Sequence, residues 1–170
     1  MKVIHKSYKF KIAPDNEQKE LLAKHFGACR FVFNRYLNSR KETYLEEKKS
    51  LNYYDNANDL TVLKKDEQFV WLKEVNSQSL QSSLRNLDTA YNKFFRKQTK
   101  FPRFKSKFDR QSFTIPQSVY IEDGKLQIPK FKKGIEINIH REIKGKLLFA
   151  TISKSTTGKY YVSITCEIEY

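Results

Sequence analysis

Residues 3 to 12, VIHKSYKFKI, place Ile4, Tyr8, Phe10 and Ile12 at even positions, with Lys6 out of pattern. A period of two predicts a half-buried strand, and Pro14 ends it. Asp15 and Gln18 stand at the spacing of a capping box. Leu21, Leu22 and Phe26 then predict a short amphipathic helix that Gly27 breaks. A second, longer helix is expected from about Ala28 to Lys49, on Phe31, Val32, Tyr36, Leu37, Tyr44 and Leu45. SLNYYDNAN, residues 50–58, reads as a loop. A short helix near Asp59 to Lys65 follows, then an apolar patch, FVWL, at 69–72. The clearest helix runs from about Ser77 to Arg96, where Leu80, Leu84, Leu87, Tyr91 and Phe94 form one apolar stripe, a core face.

After Pro102 the period changes to two and stays there. SVYIE and KLQIPK flank Asp123-Gly124, a strong hairpin signal because both residues tolerate positive φ. IEINI, LLFATI and YYVSITCEI are further strands, with Gly145 and Gly158 in the expected turns. One N-terminal strand is thus separated from a C-terminal strand cluster by about 90 residues of helix. Alone, the first strand would leave an unpaired edge. The expected class is therefore α+β, a small β-barrel or sandwich closed by the first strand, with the helices inserted as a lobe.

The net charge of +14 over 170 residues points to a polyanionic partner, and no apolar run approaches the ~20 residues of a spanning helix. No signal peptide is visible after Met1. Cys29 and Cys166 form no CxxC pair and read as free buried thiols in a reducing cytoplasm. Catalytic motifs are missing: no Gly-rich phosphate loop, no HExxH, no GxSxG. His5, His25 and His140 are scattered and read as surface or packing residues, and the acids lie mostly beside lysines. No cluster suits a two-metal nuclease, so no metal site, no cofactor and no catalytic residue is expected, and the chain reads as a binder.

From Lys93 to Arg110 there are eight Lys/Arg and one acid, Asp109, with Phe94, Phe95, Phe101, Phe104 and Phe108 between them. Cations can neutralise phosphates and aromatics can stack on bases; the alternative is that every Phe is core and the charges are solvated. Phe101, Phe104 and Phe108, at steps of three and four, suit one packed cluster better than a stacking row. A second basic row, Arg30, Arg35, Arg40 and Lys41, lies on the long helix, with Arg30, Asn34 and Lys41 near one face.

Several words of the sequence, GACRFVFNRYL at 27–37, SLQSSLRNLDTAYNKFF at 79–95, FPRFKSK at 101–107, SFT at 112–114 and the tail GKYYVSITCEIE, occur in order along the chain. In them the sequence resembles the N-terminal half of the TnpB/OrfB family, transposases of insertion sequences understood as RNA-guided DNA endonucleases related to type V CRISPR effectors. The resemblance implies a β-barrel wedge domain from residues 1–13 and 108–170, with a helical recognition lobe, helix-turn-helix-like at its start, over 14–107. It implies as partners a guide RNA from the transposon end and double-stranded DNA with a short flanking motif, with no membrane; in such systems the protein reads the flank and base pairing reads the rest. The family continues into a RuvC-like, Mg-dependent nuclease domain where this sequence stops, at CEIEY, so cleavage would fall to a separate RuvC-domain polypeptide or to none.

For phosphate contacts the expected residues are Arg30, Arg35, Lys41, Arg96, Lys97, Lys100, Arg103, Lys105, Lys107 and Arg110. Carried over from the family, the flank-reading positions are Tyr53, Ser77, Gln78, Gln81 and Thr114. Gln can bond adenine bidentately, and Ser or Thr can bond several bases; Ser77 could instead be a helix N-cap. Besides a nuclease-less fragment of an RNA-guided endonuclease, a stand-alone DNA-binding regulator and a basic RNA- or ribosome-binding protein stay open.

Overall fold

A computed structural model describes residues 1–170. In chain order the elements are β1 (Val3–Ala13), α1 (Asn16–Glu47), α2 (Tyr53–Leu63), a 3₁₀ segment (Glu67–Glu74), α3 (Ser77–Phe95), β2 (Gln111–Ile115), β3 (Tyr120–Glu122), β4 (Lys125–Ile128), β5 (Phe131–Asn138), β6 (Lys146–Lys154) and β7 (Tyr160–Glu169). The α+β class is as the sequence predicts. The chain divides into two compact units, residues 1–26 with 108–170, and residues 27–107.

In the first unit, seven strands form one antiparallel sheet in the order β2-β6-β7-β1-β5-β4-β3. The N-terminal strand is central. It pairs with β7 from Val3↔Glu169 to Ile12↔Tyr160 and with β5 at Lys11↔Asn138 to Ala13↔Glu136. The alternation seen in the sequence sets the face: Tyr8, Phe10 and Ile12 are buried opposite Ile164, Val162 and Tyr160, while Ile4, placed on the same face by the pattern, is 43% exposed.

The expected barrel is not formed. The two outer strands, β2 and β3, pair on one side only and not with each other. β3 holds three residues, too few hydrogen bonds to carry a closing seam. The sheet is therefore open, with short edge strands of the kind that resist further pairing.

Turn chemistry follows the sequence closely. Asp123 and Gly124 have φ of 53° and 70°, the left-handed pair a tight two-residue hairpin needs. Gly145 is required for a second reason: a Cβ there would run into the Glu167 carbonyl.

Residues 16–26 of α1 cover the buried face of the sheet. The predicted capping box is present: Asp15 N–H donates to Gln18 Oε1 at 3.0 Å, and Gln18 N–H to Asp15 Oδ1 at 2.8 Å. His25 is buried, its ring 5.0 Å from Phe113 and 5.4 Å from Phe131. Its Nδ1 lies 2.9 Å from the Leu21 carbonyl, which only accepts, so that nitrogen carries the proton. Burial lowers the pKa of the ring.

The second unit is helical. On α3 the stripe Leu80, Leu84, Leu87 and Tyr91 is buried, as are Val32, Tyr36 and Leu37 of α1 and Leu60 and Leu63 of α2. Small buried serines on α3 let α1 come close: Ser83 Oγ donates to the Cys29 carbonyl at 2.7 Å. Cys29 is a free thiol whose pKa burial pushes up to about 12. The expected loop at 50–58 is partly helix, because Asn52 and Asp55 form a capping box that starts α2 at Tyr53.

The other departure is at Gly27. The sequence predicts a break there; α1 instead runs unbroken through it for 32 residues. A side chain at 27 would meet only the Arg30 guanidinium, at the ordinary distance of 3.8 Å. Gly27→Ala should therefore stabilise the protein by roughly 0.5–1 kcal/mol, the usual penalty of a mid-helix glycine relieved. Chemical denaturation measures this, and a destabilised variant would mean that the chain turns at Gly27 after all.

Candidate nucleic-acid interface

α3 ends in a closed hydrogen-bonded turn. Lys97 adopts φ 60°, its N–H donates to the Phe94 carbonyl at 2.9 Å, and the Gln98 N–H reaches back to the Lys93 carbonyl at 2.9 Å. These are the two bonds of a Schellman cap, whose left-handed position normally falls to glycine. Here a lysine occupies it, at a steric cost of about 1–2 kcal/mol for a side chain in that region.

Beyond the cap, residues 98–110 form no helix or strand. The ring-and-cation alternation of 101–113 therefore becomes a strand only from Gln111. A two-way amide clamp holds this irregular segment to α1: Asn34 Nδ2 donates to the Lys105 carbonyl at 2.9 Å, and the Lys105 N–H donates to Asn34 Oδ1 at 2.7 Å. Asn34, placed by the sequence on a contact face with Arg30 and Lys41, is thus occupied with the protein's own backbone. The Lys105 ammonium sits 4.4 Å over the Phe33 ring, and partial burial lowers its pKa.

Around this clamp Arg96, Lys97, Lys100, Arg103 and Lys107 are all exposed. Lys41 is exposed on α1, and Arg30 is half-buried. Arg35 is exposed with its guanidinium 5.0 Å over Phe69. Arg40 departs from the expected basic row. It is buried, ion-paired to Asp88 at 2.9 Å, bonded through Nε to Asn56 Oδ1 at 2.8 Å, and lies 5.3 Å over Tyr91. A buried guanidinium needs such partners, which makes Arg40 structural.

The aromatic cluster also differs from expectation. Phe101 packs edge-on against Phe94 and Tyr91 at 5.2 and 5.5 Å. Phe104 and Phe108 are 50% and 79% exposed, so the three rings do not form one buried group. The cause is the irregular backbone, in which steps of three and four do not bring side chains to one side as they would on a helix.

On α3, the N-cap is Asn76, whose side chain accepts from the Gln78 N–H. Ser77 is therefore not the cap. It is exposed at the first helical position, with Gln81 exposed one turn on and Gln78 half-buried. Tyr53 opens α2, and the Arg85 guanidinium lies 4.2 Å over its ring. Sequence reasoning passed over Arg85; its position one turn after Gln81 is the signal that could have marked it. Arg110 and Thr114 belong to the sheet unit. Arg110 is exposed just before β2, and Thr114 Oγ1 is 3.2 Å from Thr151 Oγ1 across the β2–β6 pair.

No helix is long and apolar enough to cross a membrane. Residues 1–49 match a family profile of the OrfB/IS605 type described as a helix-turn-helix domain; here they hold β1 and one continuous helix. The chain is 36% identical over 165 residues to "Putative RNA-guided DNA endonuclease InsQ" of Escherichia coli (strain K12), a match covering 96% of this chain and 40% of InsQ. It is 32% identical over 171 residues to a "Putative RNA-guided DNA endonuclease" of Streptomyces pristinaespiralis, covering 98% of this chain and 42% of that protein. "Virulence protein VsdF" of Salmonella dublin is 35% identical over 105 residues, 56% of this chain and 88% of VsdF. The chain thus spans about two fifths of the length of the two endonuclease relatives. With its quoted words in order and these matches along nearly its whole length, the chain belongs to the TnpB/OrfB family of insertion-sequence proteins and corresponds to an N-terminal part of them.

Proposed function

We propose that this chain is the nucleic-acid-binding portion of a transposon-encoded RNA-guided DNA endonuclease, holding guide RNA and the DNA beside its target while the cutting chemistry is carried outside these residues. In this reading the helical unit, residues 27–107, acts as the recognition lobe, and the sheet unit, residues 1–26 with 108–170, as the wedge; residues 14–26, expected in the lobe, pack with the sheet. Arg96, Lys97, Lys100, Arg103 and Lys107 contact phosphates, with Arg30, Arg35, Lys41 and Arg110 as further contacts. Lys105 contributes less, since its ammonium already lies on Phe33. Tyr53, Ser77, Gln78 and Gln81 read the DNA flank, joined by Arg85, a residue type suited to guanine; Thr114, in the sheet unit, is a separate candidate DNA contact.

The observation that carries this reading is Lys97. It holds the left-handed turn that starts a row of exposed cations, Arg96, Lys97, Lys100, Arg103 and Lys107, on a segment tied down by Asn34. A stand-alone DNA-binding role is the second reading, favoured by VsdF, in which the matched region makes up 88% of the protein.

Replacing Arg96, Arg103 and Lys107 together with Gln should lower the slope of log K against log salt on duplex DNA by roughly two to three units, at about 0.9 for each phosphate left unneutralised. Lys105→Gln alone should change it by less than about one unit. Salt titrations on one duplex give both values, and an unchanged slope in the triple variant contradicts the proposal.

The strained lysine gives a two-sided prediction. Lys97→Gly should raise stability by up to about 1 kcal/mol while weakening nucleic-acid binding. Paired melts and binding curves decide it: higher stability with full affinity would sever the strain from binding.

A further inference from the structure

The end of α3 and the loop after it line two clefts. One, of about 340 Å³, has five rings: Tyr44, Tyr91, Phe94, Phe95 and Phe101. Tyr91 is buried, whereas Tyr44, Phe95 and Phe101 are 44%, 55% and 37% exposed. The rings are not a collapsed core. Phe95 lies 5.6 Å from Tyr91 and 5.4 Å from Phe94, and Phe101 stands edge-on to both. Leu45 and Lys41 complete the lining, and the Lys48 ammonium sits 5.5 Å over Tyr44.

The second cleft, of about 380 Å³, is lined by Asn86, Thr89, Lys93, Thr99 and Lys100 with Ala90 and Pro102. The two draw on the same stretch of α3 and of the loop. On α3, Ala90 and Lys93 face one and Tyr91 and Phe94 the other; in the loop, Lys100 and Pro102 line one and Phe101 the other. No carboxylate lines either cleft.

Exposed apolar patches of this kind mark interaction sites. The occupant must offer flat apolar faces to the rings and, several bonds away, negative charge and hydroxyls to the lysines, threonines and asparagine. A nucleotide with an unpaired base does both. We propose that this pair of clefts binds an unpaired nucleotide of single-stranded RNA, its base stacked among Tyr44, Phe95 and Phe101, its phosphate on Lys93 and Lys100. Thr89, Thr99 and Asn86 supply the donors and acceptors that a ribose 2′-hydroxyl can meet, which selects RNA over DNA. The inference rests on the nucleic-acid-binding reading above and adds to it a single-strand site with a sugar preference.

The test uses the whole chain and fluorescence anisotropy with a 12-nucleotide oligo(U), the matching oligo(dT) and a blunt RNA duplex. Phe95 is an exposed ring, so Phe95→Ala leaves the fold in place, which its melting temperature verifies. The variant should lose roughly 5- to 100-fold in affinity for oligo(U), the worth of one stacked base, and keep its affinity for the duplex. Phe95→Tyr should restore binding, Lys100→Gln should weaken oligo(U), and oligo(U) should bind tighter than oligo(dT).

Full oligo(U) affinity in Phe95→Ala, alongside loss in the Arg96/Arg103/Lys107 variant, overturns the cleft and spares the wider reading; no loss in either overturns both. Equal loss on duplex removes the unpaired base, and oligo(dT) as tight as oligo(U) removes the ribose. If wild type dimerises and Phe95→Ala is a monomer with intact RNA binding, a second copy covers the rings and the proposal fails.

Discussion

The side-chain amide of Asn34 makes two hydrogen bonds to the backbone of Lys105, at 2.9 and 2.7 Å, and the candidate interface depends on them. Residues 98–110 have no ladder or helix of their own. A segment that dense in like charges repels itself and, unheld, would sample many conformations. The clamp fixes one point of it on α1, the Schellman turn at Lys97 fixes its start, and Phe101 docks on Tyr91 and Phe94 between them. Three anchors of different kinds, amide, turn and ring, let Lys100, Arg103 and Lys107 stay exposed on a backbone that is nonetheless placed. Preorganised cations do not have to be ordered when a phosphate arrives, which is where their binding energy would otherwise go.

Engagement with the protein's own groups separates basic residues that are alike in composition. Arg40 is consumed by Asp88 and Asn56 in the helical core. The Lys105 ammonium lies over Phe33, and one face of Arg35 is covered by Phe69. A net charge of +14 therefore overstates what a polyanion would meet on any one surface. Exposure and side-chain engagement decide which cations contribute to a salt-dependent affinity.

Periodicity and a chemically marked end make the hairpin at Asp123-Gly124 and α3 legible, and the later strands by their alternation; between Pro102 and Arg110 the same alternation carries no strand. A single residue type misleads where burial overrides its propensity. Gly27 looked like a stop, yet the helix continues, since Leu22 and Phe26 before it and Val32 and Tyr36 after it are all buried, and tertiary burial outweighs a propensity cost near 1 kcal/mol. The Asn-rich run at 50–58 hid a capping box. Barrel closure could not be read at all, for it turns on whether β2 and β3 meet. Among the site residues, exposure of the loop cations was legible from charge density, whereas the burial of Arg40, the duty of Asn34 and the stacking of Arg85 on Tyr53 arise between residues distant in sequence.

In the proposed function the cations after α3 face nucleic-acid phosphates. Lysine acetylation footprinting by mass spectrometry addresses it residue by residue. With saturating nucleic acid bound, Lys97, Lys100 and Lys107 should be strongly protected, while Lys159, in the turn between β6 and β7, keeps its reactivity as the internal reference. Equal acetylation of Lys97, Lys100 and Lys107 with and without nucleic acid would contradict the account.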